Sequence, residues 1–227
     1  MSIGFQVLRR KRAASIEWIE KFKALPVANI SDVMHRLTAG GPRLRPYHAS
    51  GVLCGIALTV KTRPGDNLMA HMALTMAQPG DVIVVDAAGD LTNSIIGERM
   101  MVNAQRRGFA GWVINGAIRD LEWVKRNTLP VFAAGISHRG PYKTGPGEIN
   151  VPVAIDGMVI EPGDLVIGDD DGLLCVPFDQ IEKIYEAARA KHAQESSSFD
   201  AIGLSDQQAD CAKLTMLLAE QGCRFEA

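Results

Sequence analysis

The chain has 227 residues, enough for one domain with a sizeable core, or one domain carrying a tail. Its 47% hydrophobic and 22% charged residues suit a globular protein, and a net charge of -2 argues against a nucleic-acid binder. Cys54, Cys175, Cys211 and Cys223 form no C-x-x-C pair, which excludes a zinc ribbon or a disulfide framework; with no signal-peptide or membrane-span segment, a cytoplasmic protein is expected.

The basic run Arg9-Arg10-Lys11-Arg12 reads as a solvated or frayed end. Ser15 to Leu25 places Ile16, Ile19, Phe22 and Leu25 at helical spacing, with Ser15 as cap and Pro26 as stop. A second helix is predicted near Ser31 to Leu37, halted by Gly40-Gly41-Pro42. Val52 to Thr62 is strand-like, Asp66 or Asn67 caps a helix through Met76, and DVIVVD (81–86) is a continuous apolar strand. Ile95 to Arg107 reads as a helix stopping at Gly108. A strand follows at 111–115, leading into a turn at Asn115-Gly116, then a short helix over Leu121 to Asn127 and a strand over Leu129 to Ala134. Strands and helices alternating through short joints predict parallel β-α-β units.

Beyond Gly135, short apolar runs from Glu148 to Pro177 are broken by Asp156-Gly157, Pro162-Gly163 and Asp171-Gly172, which predicts hairpins. Helices over Phe178 to Glu195 and Ser205 to Gln221 close the chain, with Ser196-Ser197-Ser198 as a hinge and Gly222 as the last stop. The expected organisation is a single α/β domain over 1–198 and a helical tail over 199–227, available to pack on a neighbouring subunit. Pro-Gly-Asp occurs at 64–66, 79–81 and 162–164, each reading as a type II turn of architectural use.

Candidate chemistry centres on Arg119-Asp120. In a parallel sheet the ligand crevice lies at the carboxyl ends of the strands, and this pair follows such an end. A helix-start carboxylate beside a surface arginine would look the same. Gly97-Glu98 opens the preceding helix, where backbone N–H groups can hold an anion. Two acids converging on one rim invite a cation, and oxygen ligands suit Mg²⁺ or Mn²⁺. Asp169-Asp170-Asp171-Gly172 lacks the ligand spacing of an EF-hand and reads as a turn. The five histidines show no metal-ligand spacing, so no zinc is expected. The loop over 140–147 (GPYKTGPG) resembles a phosphate cradle, but its prolines remove donors and it matches no Walker pattern, so a surface loop is expected. No G-x-G-x-x-G occurs, which weakens a dinucleotide or S-adenosylmethionine site.

The segments GERMMVNAQRRGFAGWVINGAIRD, LPVFAAGIS and INVPVAIDGMVIEPGDLVIGDDDGLLCVP, with ALTVKTRPGDN before them, resemble the family of proteins related to the regulator of ribonuclease E activity A. Within it the chain is most similar to class II pyruvate aldolases acting on 4-hydroxy-4-methyl-2-oxoglutarate and 4-carboxy-4-hydroxy-2-oxoadipate. The resemblance spans about Ile30 to Glu195. It implies a swivelling β/β/α fold, trimers or hexamers, and sites between subunits. It further implies that Asp120 ligates a divalent metal directly and that Glu98, with Glu195 of an adjacent subunit, reaches it through water. Arg119 would contact the pyruvate portion, whose carboxylate the amides after Gly97, around Arg99, Met100, Met101 and Val102, would hold. The sequence departs from that pattern at Arg99 and Met100, where the aldolases carry aliphatics, and in the tail from Phe199. The expected function is metal-dependent cleavage of a 4-hydroxy-2-oxo dicarboxylic acid to pyruvate and a 2-oxo acid, with oxaloacetate decarboxylation as a second activity. The alternatives are a non-catalytic protein that modulates a ribonuclease and, more weakly, a methyltransferase.

Overall fold

The computed structural model describes residues 3–37, 40–198 and 207–225. Its elements in chain order are β1 (Phe5–Val7), α1 (Ile16–Lys23), α2 (Val27–Val33), β2 (Arg45–Pro46), β3 (Leu53–Thr62), α3 (Leu68–Met76), β4 (Asp81–Asp86) and β5 (Ser94–Ile96). There follow α4 (Glu98–Arg106), β6 (Gly111–Ile118), α5 (Leu121–Val124), β7 (Val131–Ile136), β8 (Gly147–Ile149), β9 (Val153–Ile155) and β10 (Met158–Ile160). The chain ends with β11 (Leu165–Asp169), β12 (Gly172–Val176), α6 (Ile181–Ser198) and α7 (Gln207–Glu220).

β3, β4, β6 and β7 pair in parallel, as the alternation of strands and helices predicts. β3 is the pivot of the sheet. Residues 56–61 pair with β4 along one edge, while along the other, residues 53–56 pair with β11 and 60–62 with β8, both antiparallel. A ten-residue strand is roughly 33 Å long, which leaves room for two successive partners on one edge. The result is the mixed sheet with flanking helices of a swivelling β/β/α fold, followed by a helical extension through α6 and α7.

The central strands are apolar on both faces because both faces are covered. Ile83, Trp112 and Ile114 pack with Met69, Ala73 and Met101 of α3 and α4. Val82, Val84 and Val113, on the opposite face, meet Val153, Ile155 and Met158 of the β9–β10 hairpin. That hairpin turns on Asp156 and Gly157, both at positive φ (50° and 87°), a two-residue connection that matches strand twist. A third cluster joins Ile19, Phe22 and Ile30 to Ile167, Leu174 and Val176 of β11 and β12.

All three Pro-Gly-Asp turns are architectural. Gly65, Gly80 and Gly163 have φ of 72°, 85° and 96°, and Asp66, Asp81 and Asp164 are buried beside them. Each carboxylate accepts a backbone N–H and faces an arginine: Arg63 at 3.3 Å, Arg10 at 2.6 Å and Arg12 at 3.6 Å, respectively. The basic run near the N-terminus is therefore no frayed end. Arg10 and Arg12 reach across to turns far along the chain, a contact invisible to local patterning.

Other boundaries move for local reasons. α2 begins at Val27, because Pro26 presets an extended entry and Asp169 Oδ2 accepts the Val27 N–H at 3.0 Å; His35 and Arg36, at positive φ, follow its end. The predicted helix from Ile95 splits into β5 and α4, since Ser94 and Ile96 pair with Ala117 and Ile118 of β6. A short apolar run serves a buried strand or a helix equally well. Asn115-Gly116 is a bulge within β6, with the register against β7 shifting between Ile114 and Ala117. α6 continues through the serines expected to form a hinge, whose hydroxyls at Ser197 and Ser198 donate to the Gln194 and Glu195 carbonyls at 2.8 and 2.7 Å. Residues 199–206, including the predicted helix start at Ser205, lie outside the described residues. The division between two compact units falls between Arg189 and Ala190, within α6.

Ile83 is fully buried at the centre of the sheet. Ile83→Ala is expected to lower stability by about 2–5 kcal/mol, measured as a lower midpoint of urea unfolding at unchanged m-value.

Candidate active site

β6 delivers the Arg-Asp pair. The Arg119 N–H donates to the Ile96 carbonyl at 3.1 Å and the Ser137 N–H to the Ile118 carbonyl at 2.9 Å, so the end of β6 is tied to both parallel neighbours. Asp120 then adopts the left-handed region (φ 59°, ψ 42°), which aspartate tolerates better than most residues. Its carbonyl accepts the Trp123 and Val124 N–H groups at 3.0 and 3.3 Å, starting α5. Uncommon backbone at a rim position is where functional groups concentrate.

β5 and α4 supply the other half. Gly97 is the N-cap of α4, and the Glu98 N–H donates to Asp120 Oδ2 at 2.8 Å. The carboxylate of one strand–helix joint thus caps the helix of the next. A Cβ on Gly97 would run into Asp120 Oδ2 and stand 3.0 Å from Arg119 Nε, so only glycine lets the pair lie against the helix start. Arg119 Nε is 3.7 Å from the same Oδ2, with the two side chains 43% and 41% exposed. At that exposure the ion pair adds little stability; what it fixes is orientation. Asp120 Oδ1 accepts no protein hydrogen bond among the described residues.

A cavity of about 470 Å³ opens at this point. Gly97, Glu98, Arg99, Met100, Arg119 and Asp120 all line it, so the structure gathers most of the residues that the sequence singles out. Met101 does not join them, being fully buried in the core, and Val102 does not line the cavity. The Met100 and Met101 N–H groups donate to the Gly97 carbonyl at 3.1 and 3.2 Å, because a cap at Gly97 makes these the first intrahelical bonds. Glu195 lies on α6, 2.7 Å from Lys191 one turn back, within the compact unit that begins at Ala190.

The cavity also takes in residues outside the sequence-derived set, among them Asn67, His71 and Lys143. Lys143 belongs to the loop expected to be mere surface. Asp66 pins that loop by accepting the Thr144 and Gly145 N–H groups at 2.7 and 2.9 Å and the Thr144 hydroxyl at 3.2 Å. The Tyr142 N–H donates to the Gly65 carbonyl at 2.8 Å, and the Asn67 N–H to the Tyr142 carbonyl at 3.0 Å. The signal was the Pro-Gly-Asp-Asn run, whose Asp holds the loop and whose Asn faces the cavity. Asn67 Nδ2 donates to the Ile95 carbonyl at 2.9 Å, leaving a buried Oδ1 without a partner. His71 sits below its ordinary pKa, because burial disfavours its charged form and Lys143 repels it.

Among the described residues no three His, Cys, Asp or Glu side chains converge as a metal cage. The cavity still fits a hard dication that keeps most of its waters, which needs only one or two carboxylates. Asp120 offers its open Oδ1, and Glu98 lines the same space.

A mixed sheet whose parallel strands end at a polar, carboxylate-bearing cavity defines an α/β protein with a candidate ligand site at its strand ends. The chain belongs to the RraA-like family, whose signature, described as Aldolase/RraA, matches residues 27–175. It is 39% identical over 189 residues to a Halalkalibacterium halodurans protein named "Putative 4-hydroxy-4-methyl-2-oxoglutarate aldolase", covering 83% of this chain and 90% of that one. Among solved structures it is similar to an uncharacterized Pseudomonas syringae pv. tomato protein (TM-score 0.77, 26% identity, 87% of this chain and 98% of that one). It is also similar to a Streptomyces coelicolor protein described as an unusual member of the RNase ES inhibitor RraA family (TM-score 0.75, 27% identity, 82% and 98%). No described helix is long and apolar enough to cross a membrane.

Burial alone would raise the Asp66 carboxyl, but its hydrogen bonds from Leu68, Thr144 and Gly145 outweigh this and hold it below the usual range. A depressed folded value stabilises above the unfolded value, near about 3.9, and the gain is lost as pH falls through the folded one. Asp66→Asn is therefore expected to lower stability by about 2 kcal/mol at pH 7, with the gap from wild type closing below about pH 3.9 in chemical unfolding.

Proposed function

We propose that the protein is a divalent-metal-dependent lyase that cleaves a 4-hydroxy-2-oxo dicarboxylic acid, of the 4-hydroxy-4-methyl-2-oxoglutarate type, to pyruvate and a second 2-oxo acid. The observation that carries this reading is the Arg119-Asp120 pair held against the start of α4 by Gly97, with Glu98 on the same cavity. Asp120 would hold Mg²⁺ or Mn²⁺ directly, and Glu98 through water. When bound, such a metal supplies Lewis-acid withdrawal of charge from the 2-oxo and carboxylate oxygens.

In the reaction the C3–C4 bond breaks and its electron pair becomes the enolate of pyruvate. The C4 hydroxyl loses its proton as C4 becomes a carbonyl, and C3 later gains one, so protons balance. Arg119 stays charged throughout and presents a planar fork of donors, so its hold on the 2-oxo oxygen strengthens as negative charge grows there. On this reading the Arg99 N–H, in the first turn of α4, would meet the substrate carboxylate. Oxaloacetate decarboxylation leaves the same enolate and is the natural second activity. A trimer or hexamer, with Glu195 contributed by a neighbouring subunit, belongs to this reading.

A second reading, a binding protein that modulates a ribonuclease, draws on the similarity to the Streptomyces coelicolor inhibitor-family member. It gives Arg119, Asp120 and Glu98 no common task, which is why the enzyme is preferred.

Pyruvate release from 4-hydroxy-4-methyl-2-oxoglutarate, coupled to lactate dehydrogenase, tests the proposal. Turnover is expected with Mg²⁺ and not with EDTA, and kcat is expected to fall about 100- to 1000-fold in Arg119→Ala, with a comparable loss in Asp120→Ala. Full activity in either variant removes the roles assigned. Binding to an RNase E-type nuclease that survives EDTA in a pull-down, by a chain releasing no pyruvate, would establish the second reading instead.

A further inference from the structure

We propose that β1 is a removable brace for one wall of the cavity. While it lies on β8 it holds the loop over 140–147; when it peels away, that loop loosens and the cavity opens. The brace works in the same way whatever reaction the cavity supports.

β8 is only three residues long and lies between two strands. It meets the end of β3 on one edge, antiparallel, and β1 on the other, in parallel. Phe5, Gln6 and Val7 stand opposite Gly147, Glu148 and Ile149. Gln6 Nε2 donates to Glu148 Oε1 at 2.6 Å, and the Leu8 N–H to the Ile149 carbonyl at 3.1 Å. Asn150 Nδ2 donates to the Leu8 carbonyl at 2.9 Å, while its buried Oδ1 has no partner, so this amide serves the β1 segment. The Phe5 ring reaches the loop itself. A Cβ on Gly145 would stand 3.5 Å from the ring, so Phe5 covers the loop whose Pro141 and Lys143 line the cavity. Buried Asp66 fastens that loop from within, at Thr144 and Gly145, and Phe5 braces it from outside.

β1 itself is weakly held. No residue from Ile3 to Ala13 is buried, and Phe5, Val7 and Leu8 are 54%, 45% and 41% exposed, whereas β6 is buried throughout. A strand that buries so little apolar surface opens at much lower free energy than the core strands. Its root is anchored. Arg10 lies 2.6 Å from the buried Asp81, and Arg12 lies 2.6 Å from Glu161 and 2.9 Å from Asp179. The Ala14 N–H donates to the Gly163 carbonyl at 3.2 Å. Parting an arginine from a buried carboxylate costs more than opening three exposed residues. β1 therefore peels while its root stays tied, and the short tether returns it to β8 at high effective concentration. The brace lies ahead of residues 27–175, the stretch that the family signature matches, so it is not part of what defines the family.

Hydrogen exchange of the full chain, read by mass spectrometry with urea unfolding alongside, tests the brace. In the wild type, peptides over 3–8 are expected to exchange at least about 100-fold faster than β4 and β6, with 142–149 in between. Phe5→Ala should speed exchange over 142–149 about tenfold, with β4, α4 and the urea midpoint as in the wild type. Phe5→Tyr, which keeps the ring, should exchange like the wild type. A wild type whose β1 is as protected as β4 overturns the proposal, because such a strand does not peel. So does Phe5→Ala with unchanged exchange over 142–149, or with a speed-up shared by every strand. Arg12→Gln, which slackens the root, gives a second check. Exchange over 3–8 and over 142–149 should rise together by a similar factor; a rise over 3–8 alone would uncouple β1 from the loop and equally overturn the brace.

Discussion

The bond from the Glu98 N–H to Asp120 Oδ2 joins two neighbouring strand–helix joints, and the site depends on it. It can form only because residue 97 has no side chain, since a Cβ there would occupy the space of the carboxylate. One contact therefore does three things. It caps α4, fixes the direction of Asp120, and brings Arg119 alongside with its guanidinium facing the cavity. Both side chains are partly exposed, so their mutual attraction is weak, and the backbone donor and the steric limit at Gly97 do the positioning.

The three Pro-Gly-Asp turns apply one local solution in different settings. In each, a buried aspartate accepts backbone N–H groups and faces an arginine. Two of these arginines, Arg10 and Arg12, come from the first residues of the chain and fasten it to turns remote in sequence. At Asp66 the same device gains a further use, because the loop it pins carries Lys143 into the cavity. Architecture and site are continuous there: the carboxylate has no place in the chemistry, yet it sets where a cation stands.

Relatives named as an aldolase and as a ribonuclease inhibitor share this fold, so the fold alone does not choose between turnover and binding. The distinction rests on what lies at the rim. Two carboxylates, three cations, a histidine whose pKa burial and Lys143 lower, and an amide oxygen without a donor gather around one cavity.

Periodicity and punctuation were enough to read the parallel β-α-β core, the hairpins at Asp156-Gly157 and Asp171-Gly172, and the Arg119-Asp120 pair at a strand end; the hairpin expected at Pro162-Gly163 does not form, because β10 and β11 on either side of it belong to different sheets. Each depends on residues close together in the chain: apolar runs, turn formers, a charged pair after a strand. Tertiary structure alone decided that Ser94 to Ile96 is a strand, because a three-residue run has no period and needs β6 beside it. It alone set the ties of Arg10 and Arg12, the bulge at Asn115-Gly116, and the entry of Asn67, His71 and Lys143 into the cavity. Such contacts bring together residues tens of positions apart, and a linear pattern carries no record of which distant carboxylate a lysine or arginine will meet.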